Sequence, residues 1–153
     1  ISTGTPAEHG GNMDTKLIKE GATLYLPIFV DGALFALGDL HAAMGDGEIG
    51  GSGLEIAGEV VVTLDLIKEQ TLTHPVVENE ESFAFLVSRK TIDDALTEAT
   101  HLGVQKLAEQ LNISLEEATM LGSIACDVEI SQLVDPQLTA RFVIPKRLLP
   151  ALF

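Results

Sequence analysis

The residues in this sequence best suited to chemistry sit in one stretch, Gly38 to Glu59, read GDLHAAMGDGEIGGSGLEIAGE. Asp39 and His41 form an Asp-x-His pair, and Asp46, Glu48 and Glu55 follow within fourteen residues. An imidazole nitrogen with carboxylates suits Zn²⁺ or a similar divalent ion, whereas carboxylates and carbonyls alone suit Ca²⁺ or Mg²⁺. An ion with an open position lowers the pKa of its bound water to about 7 and polarises a carbonyl. A carboxylate beside it can then move the proton. Spacing alone is weak support, because surface loops often carry Asp, Glu and Gly. The same stretch holds seven of the 14 glycines, which marks a backbone that needs unusual angles or close approach. A second polar cluster, His9-Gly-Gly-Asn12-Met-Asp14, lies in an irregular segment, where Asn12 and Asp14 could equally bond their own backbone in a turn.

Other constellations reduce to bland readings. Gly45-x-Gly47-x-x-Gly50 matches a dinucleotide fingerprint literally, but Asp46 and Glu48 inside the turn would repel a pyrophosphate and no long helix follows. No Walker lysine follows the glycines. Cys126 lies in an apolar run and reads as a buried, inert thiol, and a single cysteine excludes an internal disulfide framework. His74, before Pro75, and His101, on a polar helix side, read as bystanders.

The elements around the cluster read as follows. Residues 1–12 are loop. Ala22–Val30 is a strand apolar on both faces, with Pro27 favouring an edge or bulge. Asp31-Gly32 is a hairpin turn, and Ala33–His41 returns so that Asp39 and His41 alternate onto one face. Leu54–Lys68 is the clearest strand, with Leu54, Ile56, Val60, Val62, Leu64 and Leu66 on one face. Glu69–Glu81 is a polar connection, and Ser82–Ser88 is a short strand. A helix follows from Thr91, which caps it, through Leu111, and a second opens on the capping box Ser114…Glu117 and runs to about Ser123. Asp127–Ile130 and Leu138–Ile144 close the chain as strands. The fold class is α+β: β-rich, sandwich-like sheets with two adjacent helices near the C-terminus.

Composition narrows the partners. The 153 residues are 46% hydrophobic, which describes a globular chain. Nine basic against 23 acidic residues give a net charge of −14, which opposes nucleic acid or an anionic membrane as partner. The second helix carries no Lys or Arg between Ser114 and Ser123, so a DNA-reading helix pair is not supported. No apolar run reaches the roughly 18 residues of a membrane span and no signal-peptide pattern opens the chain, so a cytoplasmic setting is the expectation.

HGGNMDTK (His9–Lys16), followed by LYLPIFVDGALFALGDLHAAMGDGEIGGSGLEIAGEV (Leu24–Val60), closely resembles the acetamidase/formamidase family. The resemblance is dense from His9 to Lys68 and continuous but thinner to the end. It implies a metal-dependent, β-rich, oligomeric enzyme that hydrolyses a short aliphatic amide to a carboxylate and ammonia. It also implies that Asp39, His41, Asn12 and Asp14 hold or orient a divalent metal, Zn²⁺ ahead of Ca²⁺ or Mg²⁺, and that Glu48, Glu55 and Asp46 move protons. Many relatives carry a cysteine before the last acid, where this chain has Gly50-Gly-Ser-Gly-Leu54, so no thiol role carries over. Members are about twice as long. Residues 1–153 correspond to the C-terminal half, and an N-terminal half, as a separate fragment or chain, is the expected partner beside a small amide and further copies in a homo-oligomer. The alternative is a non-catalytic β-rich module that binds a metal or small ligand.

Overall fold

A computed structural model describes residues 2–153. Its centre is a five-stranded antiparallel sheet in the order β1-β4-β5-β7-β6. The strands are β1 (Thr23–Tyr25), β4 (Val76–Glu78), β5 (Ser82–Arg89), β6 (Asp127–Gln132) and β7 (Leu138–Pro145). A separate ribbon pairs β2 (His41–Ala43) with β3 (Leu54–Glu55). Helices α1 (Ile92–Leu111) and α2 (Leu115–Ala125) connect β5 to β6. The class is α+β, as expected, with the sandwich-like element reduced to one full sheet and a two-stranded ribbon.

Period-two alternation in β5 and β7 sorts their side chains to two faces. Phe83, Phe85, Val87, Phe142 and Ile144 pack with Val76 against Ala99, Val104 and Leu107 of α1 and Ala118 of α2. The opposite face carries Val77, Ala84 and Leu86, covered by Met13 with Leu17, Ala22 and Leu24 alongside. The segment bearing the HGGNMD block therefore lies on the sheet face away from the helices. Both helix starts form as read: Thr91 Oγ1 accepts the Asp94 amide at 3.2 Å, and Ser114 with Glu117 makes a reciprocal capping box. Cys126 caps the end of α2, half-buried against the larger cluster, and burial pushes its thiol up to about 11.

Three expected strands are largely absent. Ala22–Val30 is a strand only over Thr23–Tyr25, Ala33–His41 contributes only His41 to β2, and Leu54–Lys68 is strand only at Leu54–Glu55. The Asp31-Gly32 turn does form, with the Ala33 amide on the Val30 carbonyl at 3.1 Å, but Ala33 and Leu34 then adopt left-handed φ and the arms do not pair. The alternation in 54–68 is present, yet Val61 is 98% and Leu64 68% exposed. A strand needs a neighbour for its N–H and C=O groups as much as an apolar face. Residues 26–40 and 56–68 have the face, but among the described residues the only backbone bond between them is from the Ile56 amide to the Leu40 carbonyl at 3.0 Å. The short β4, by contrast, lies within the span read as polar connection, where Val76 and Val77 are fully buried between β1 and β5.

Candidate active site

The site grows from the β2–β3 ribbon. His41 and Glu55 are cross-strand partners, which brings Glu55 Oε1 to 3.0 Å from His41 Nε2. Ser52 Oγ donates to the same Glu55 oxygen at 2.9 Å. Asp39 Oδ1 stands 3.4 Å and Glu48 Oε1 3.8 Å from His41 Nε2. Asp39 and His41 thus converge as the sequence suggests, but by a different route. Asp39 is not in a strand; a left-handed φ of +66° folds it back onto the imidazole.

That backbone feature recurs. Asn12 (φ +44°), Asp14 (+27°) and Glu48 (+43°) are also left-handed. Such conformations disfavour side-chain-bearing residues by about 1–3 kcal/mol each and gather where a site dictates the backbone. Four of the seven residues singled out for chemistry share it.

Charge in the cluster is poorly neutralised. Burial, then Glu48, Asp39 and Asp135, raises the Asp14 carboxyl to about 6, against a lowering by His41. Burial likewise raises Glu48, whose side chain is 5% exposed. Asp135, in the turn between β6 and β7, is raised chiefly by burial and faces Asn12 and Asp14, and its Oδ2 is buried without a hydrogen-bond partner. Two sets of ligand atoms, Asp14–His41–Glu48 and Asp39–His41–Glu55, each lie within 4.8 Å of one another. Bonds of 2.0–2.2 Å to a tetrahedral Zn²⁺ would place ligand atoms roughly 3.4 Å apart. The 3.0–3.8 Å separations about His41 Nε2 bracket that figure. One imidazole with several under-neutralised carboxylates fits a divalent ion.

Asp46 stands apart in its partners. Both its oxygens accept from Arg141 Nη2 at 3.0 and 2.9 Å, and Lys16 Nζ lies 2.8 Å away. Despite some burial, these cations hold the Asp46 carboxyl below its ordinary range. The loop from Asp46 is seated on β6: the Gly47 amide reaches the Ser131 carbonyl at 2.9 Å, and the Leu133 amide reaches the Gly47 carbonyl at 3.0 Å. Beside it lies an open surface depression of about 540 Å³ lined by Ala43, Glu48, Ser52, Gly53 and Leu54.

Two participants escape the sequence reading. Asp135 offers no signal beyond an acid before a proline. Arg141 does: a lone guanidinium in the apolar run LTARFVIP has to find carboxylates. His74 is less idle than its polar loop suggests. It is buried, with Nε2 3.1 Å from Arg89 Nη2 and 3.3 Å from Glu98 Oε1, and Arg89 also binds Glu8 at 2.7 Å. This separate cluster pins the start of the N-terminal segment.

Fold and cluster together define an α+β protein with a carboxylate–histidine centre able to hold a divalent cation. The chain belongs to the acetamidase/formamidase family, whose model matches residues 1–150. Among curated relatives it is 43% identical over 75 residues to an acetamidase of Mycolicibacterium smegmatis, covering 48% of this chain and 18% of that protein. It is 42% identical over 65 residues to a formamidase of Methylophilus methylotrophus, covering 42% and 16%. Among solved structures it superposes on a predicted acetamidase/formamidase from Thermoanaerobacter tengcongensis with a TM-score of 0.93 and 48% identity, over 98% of this chain and 50% of that one. An acetamidase from Bacillus halodurans gives a TM-score of 0.93 and 49% identity, over 96% and 50%. The chain spans about half the length of these solved relatives. No helix among the described residues is long and apolar enough to cross a membrane.

Proposed function

We propose that this chain forms part of an amidohydrolase that converts a short aliphatic amide, formamide or acetamide, to carboxylate and ammonia. The observation that carries the reading is the convergence of Asp14, Asp39, Glu48 and Glu55 on His41 in a chain of this family. His41 would hold the divalent ion together with Asp14 or with Asp39, which belong to different sets of ligand atoms, Zn²⁺ ahead of Ca²⁺ or Mg²⁺, with Asn12 orienting Asp14. The bound ion would polarise the amide carbonyl and lower the pKa of the attacking water. Glu48 is the better placed general base. Its burial raises its affinity for a proton, so it can take one from water and return it to the leaving amine nitrogen. Glu55, 55% exposed and paired with His41, holds the imidazole from the second strand and is the second candidate for the proton. Asp46, already paired with two cations, serves the proposal as an anchor and not as a base.

The same proposal includes a companion polypeptide, equivalent to the half of the solved relatives that this chain does not match, as well as assembly into a homo-oligomer. Exposed apolar side chains along 26–40 and 56–68 support the companion, since Phe29, Leu34, Val61 and Leu64 are each at least 60% exposed. The test is ammonia release from formamide and acetamide by the chain combined with the N-terminal half of a relative, with and without a chelator. Release that chelation abolishes is the expected result. No ammonia from a zinc-loaded, assembled sample would refute the activity and leave a ligand-binding module.

A further inference from the structure

Arg141 is the largest fully buried side chain among the described residues, and it carries a charge. Burying a guanidinium is unfavourable by several kcal/mol unless its donors are met. Here they fan out to five oxygens on four residues. Nε donates to Glu129 at 2.7 Å, Nη1 to Ser131 Oγ at 3.1 Å and Thr15 Oγ1 at 3.4 Å, and Nη2 to both oxygens of Asp46. Alternation along β7 turns Ala140 and Phe142 to the other face and leaves Thr139 and Val143 beside Arg141, where a well-packed apolar set in place of the whole ion-pair network would be about as stable. A charge at this place adds geometry instead. Thr15 is covalently next to Asp14, and Asp46 lies two residues before Glu48. With His41, Asp14 and Glu48 form one of the two sets of ligand atoms that lie within 4.8 Å of one another.

We propose that Arg141 is the positioning residue of this centre, setting the separation of Asp14 and Glu48 across His41 by gripping Thr15 and Asp46 from the sheet. Its consequence for catalysis rests on the amidohydrolase reading; the positioning itself does not. Removing Asp46's charge with Asp46→Asn is the mild perturbation, since Asp46 is about a third exposed. Arg141→Lys keeps the charge but loses the two-pronged fork.

The experiment compares both variants with the unaltered chain by amide hydrogen exchange and by zinc affinity in chelator competition. In Asp46→Asn, protection of Gly47 and Gly51 is expected to fall at least tenfold while β5 and β7 keep theirs, and zinc affinity to fall at least tenfold. Arg141→Lys falls between. Loop protection and zinc affinity equal to the unaltered chain in both variants overturn the proposal, whatever happens to the melting temperature. An unaltered chain that binds no zinc counts against the metal reading alone, and loop protection then decides the positioning of Asp46 and Gly47 by itself.

Discussion

Gly53 leaves the space that the His41 ring occupies, and replacing it is the sharpest test of the site. It stands just before β3, against the far edge of His41. A Cβ there would lie 2.6 Å from His41 Nδ1, 2.7 Å from Cγ and 3.1 Å from the Ala43 carbonyl, where ordinary contact begins at 3.4 Å. The carbonyl belongs to the ribbon and cannot yield, so in Gly53→Ala the ring must retreat by about 0.8 Å, the gap between 2.6 and 3.4 Å. Nε2 then leaves the 3.0–3.8 Å shell of Glu55, Asp39 and Glu48. A misplacement of about 1 Å lowers activity on the order of 100-fold, and the crowding destabilises by about 1–3 kcal/mol. Thermal melts give the second quantity. Chelator competition for zinc and ammonia release give the first. Gly50→Ala is the control: a Cβ at Gly50 meets nothing within 4 Å, so stability should stay within about 0.5 kcal/mol. A folded Gly53→Ala variant with undiminished zinc affinity would show that His41 does not depend on the space Gly53 leaves.

Two further outcomes follow from the same geometry. Asp14 has its folded pKa raised from 3.8 to about 6, so its contribution to stability is fully present below about pH 4 and is lost as pH rises through about 6. For a half-buried carboxyl screened by solvent the effect is of order 1 kcal/mol. The metal-free chain should therefore melt higher at pH 5 than at pH 7, and Asp14→Asn should shrink that difference; an unchanged pH dependence in the variant would contradict the crowding of acids around Asp14. Gly103→Ala probes the core, because a Cβ on α1 would fall 2.1 Å from Phe142 Cδ1. Overpacking of about 1–3 kcal/mol outweighs a helix-propensity gain of just under 1 kcal/mol, so urea denaturation should show a net loss; a gain would mean that α1 does not rest on Phe142.

The sequence by itself determined what local chemistry determines. Thr91, Ser114 and Glu117 set the helix starts through bonds within three residues. Alternation in Ser82–Ser88 and Leu138–Ile144 marked strands that find partners in each other. The cluster of Asp39, His41, Glu48 and Glu55 was legible because it lies within seventeen residues of chain. Tertiary structure decided the rest, because pairing and ion-pair choice are set by groups distant in sequence. The alternating run 54–68 has every local mark of a strand, yet only Leu54 and Glu55 join a ladder, and Ile56 adds one bond to the Leu40 carbonyl. Asp46 and Glu48 look interchangeable in GDGE, yet Arg141, ninety-five residues further on, takes Asp46 and leaves Glu48 to His41. Asp135 comes to Asn12 and Asp14 from the far end of β6. A residue's type fixes which charge or hydrogen bond it can offer; only the folded sheet fixes which neighbour receives it.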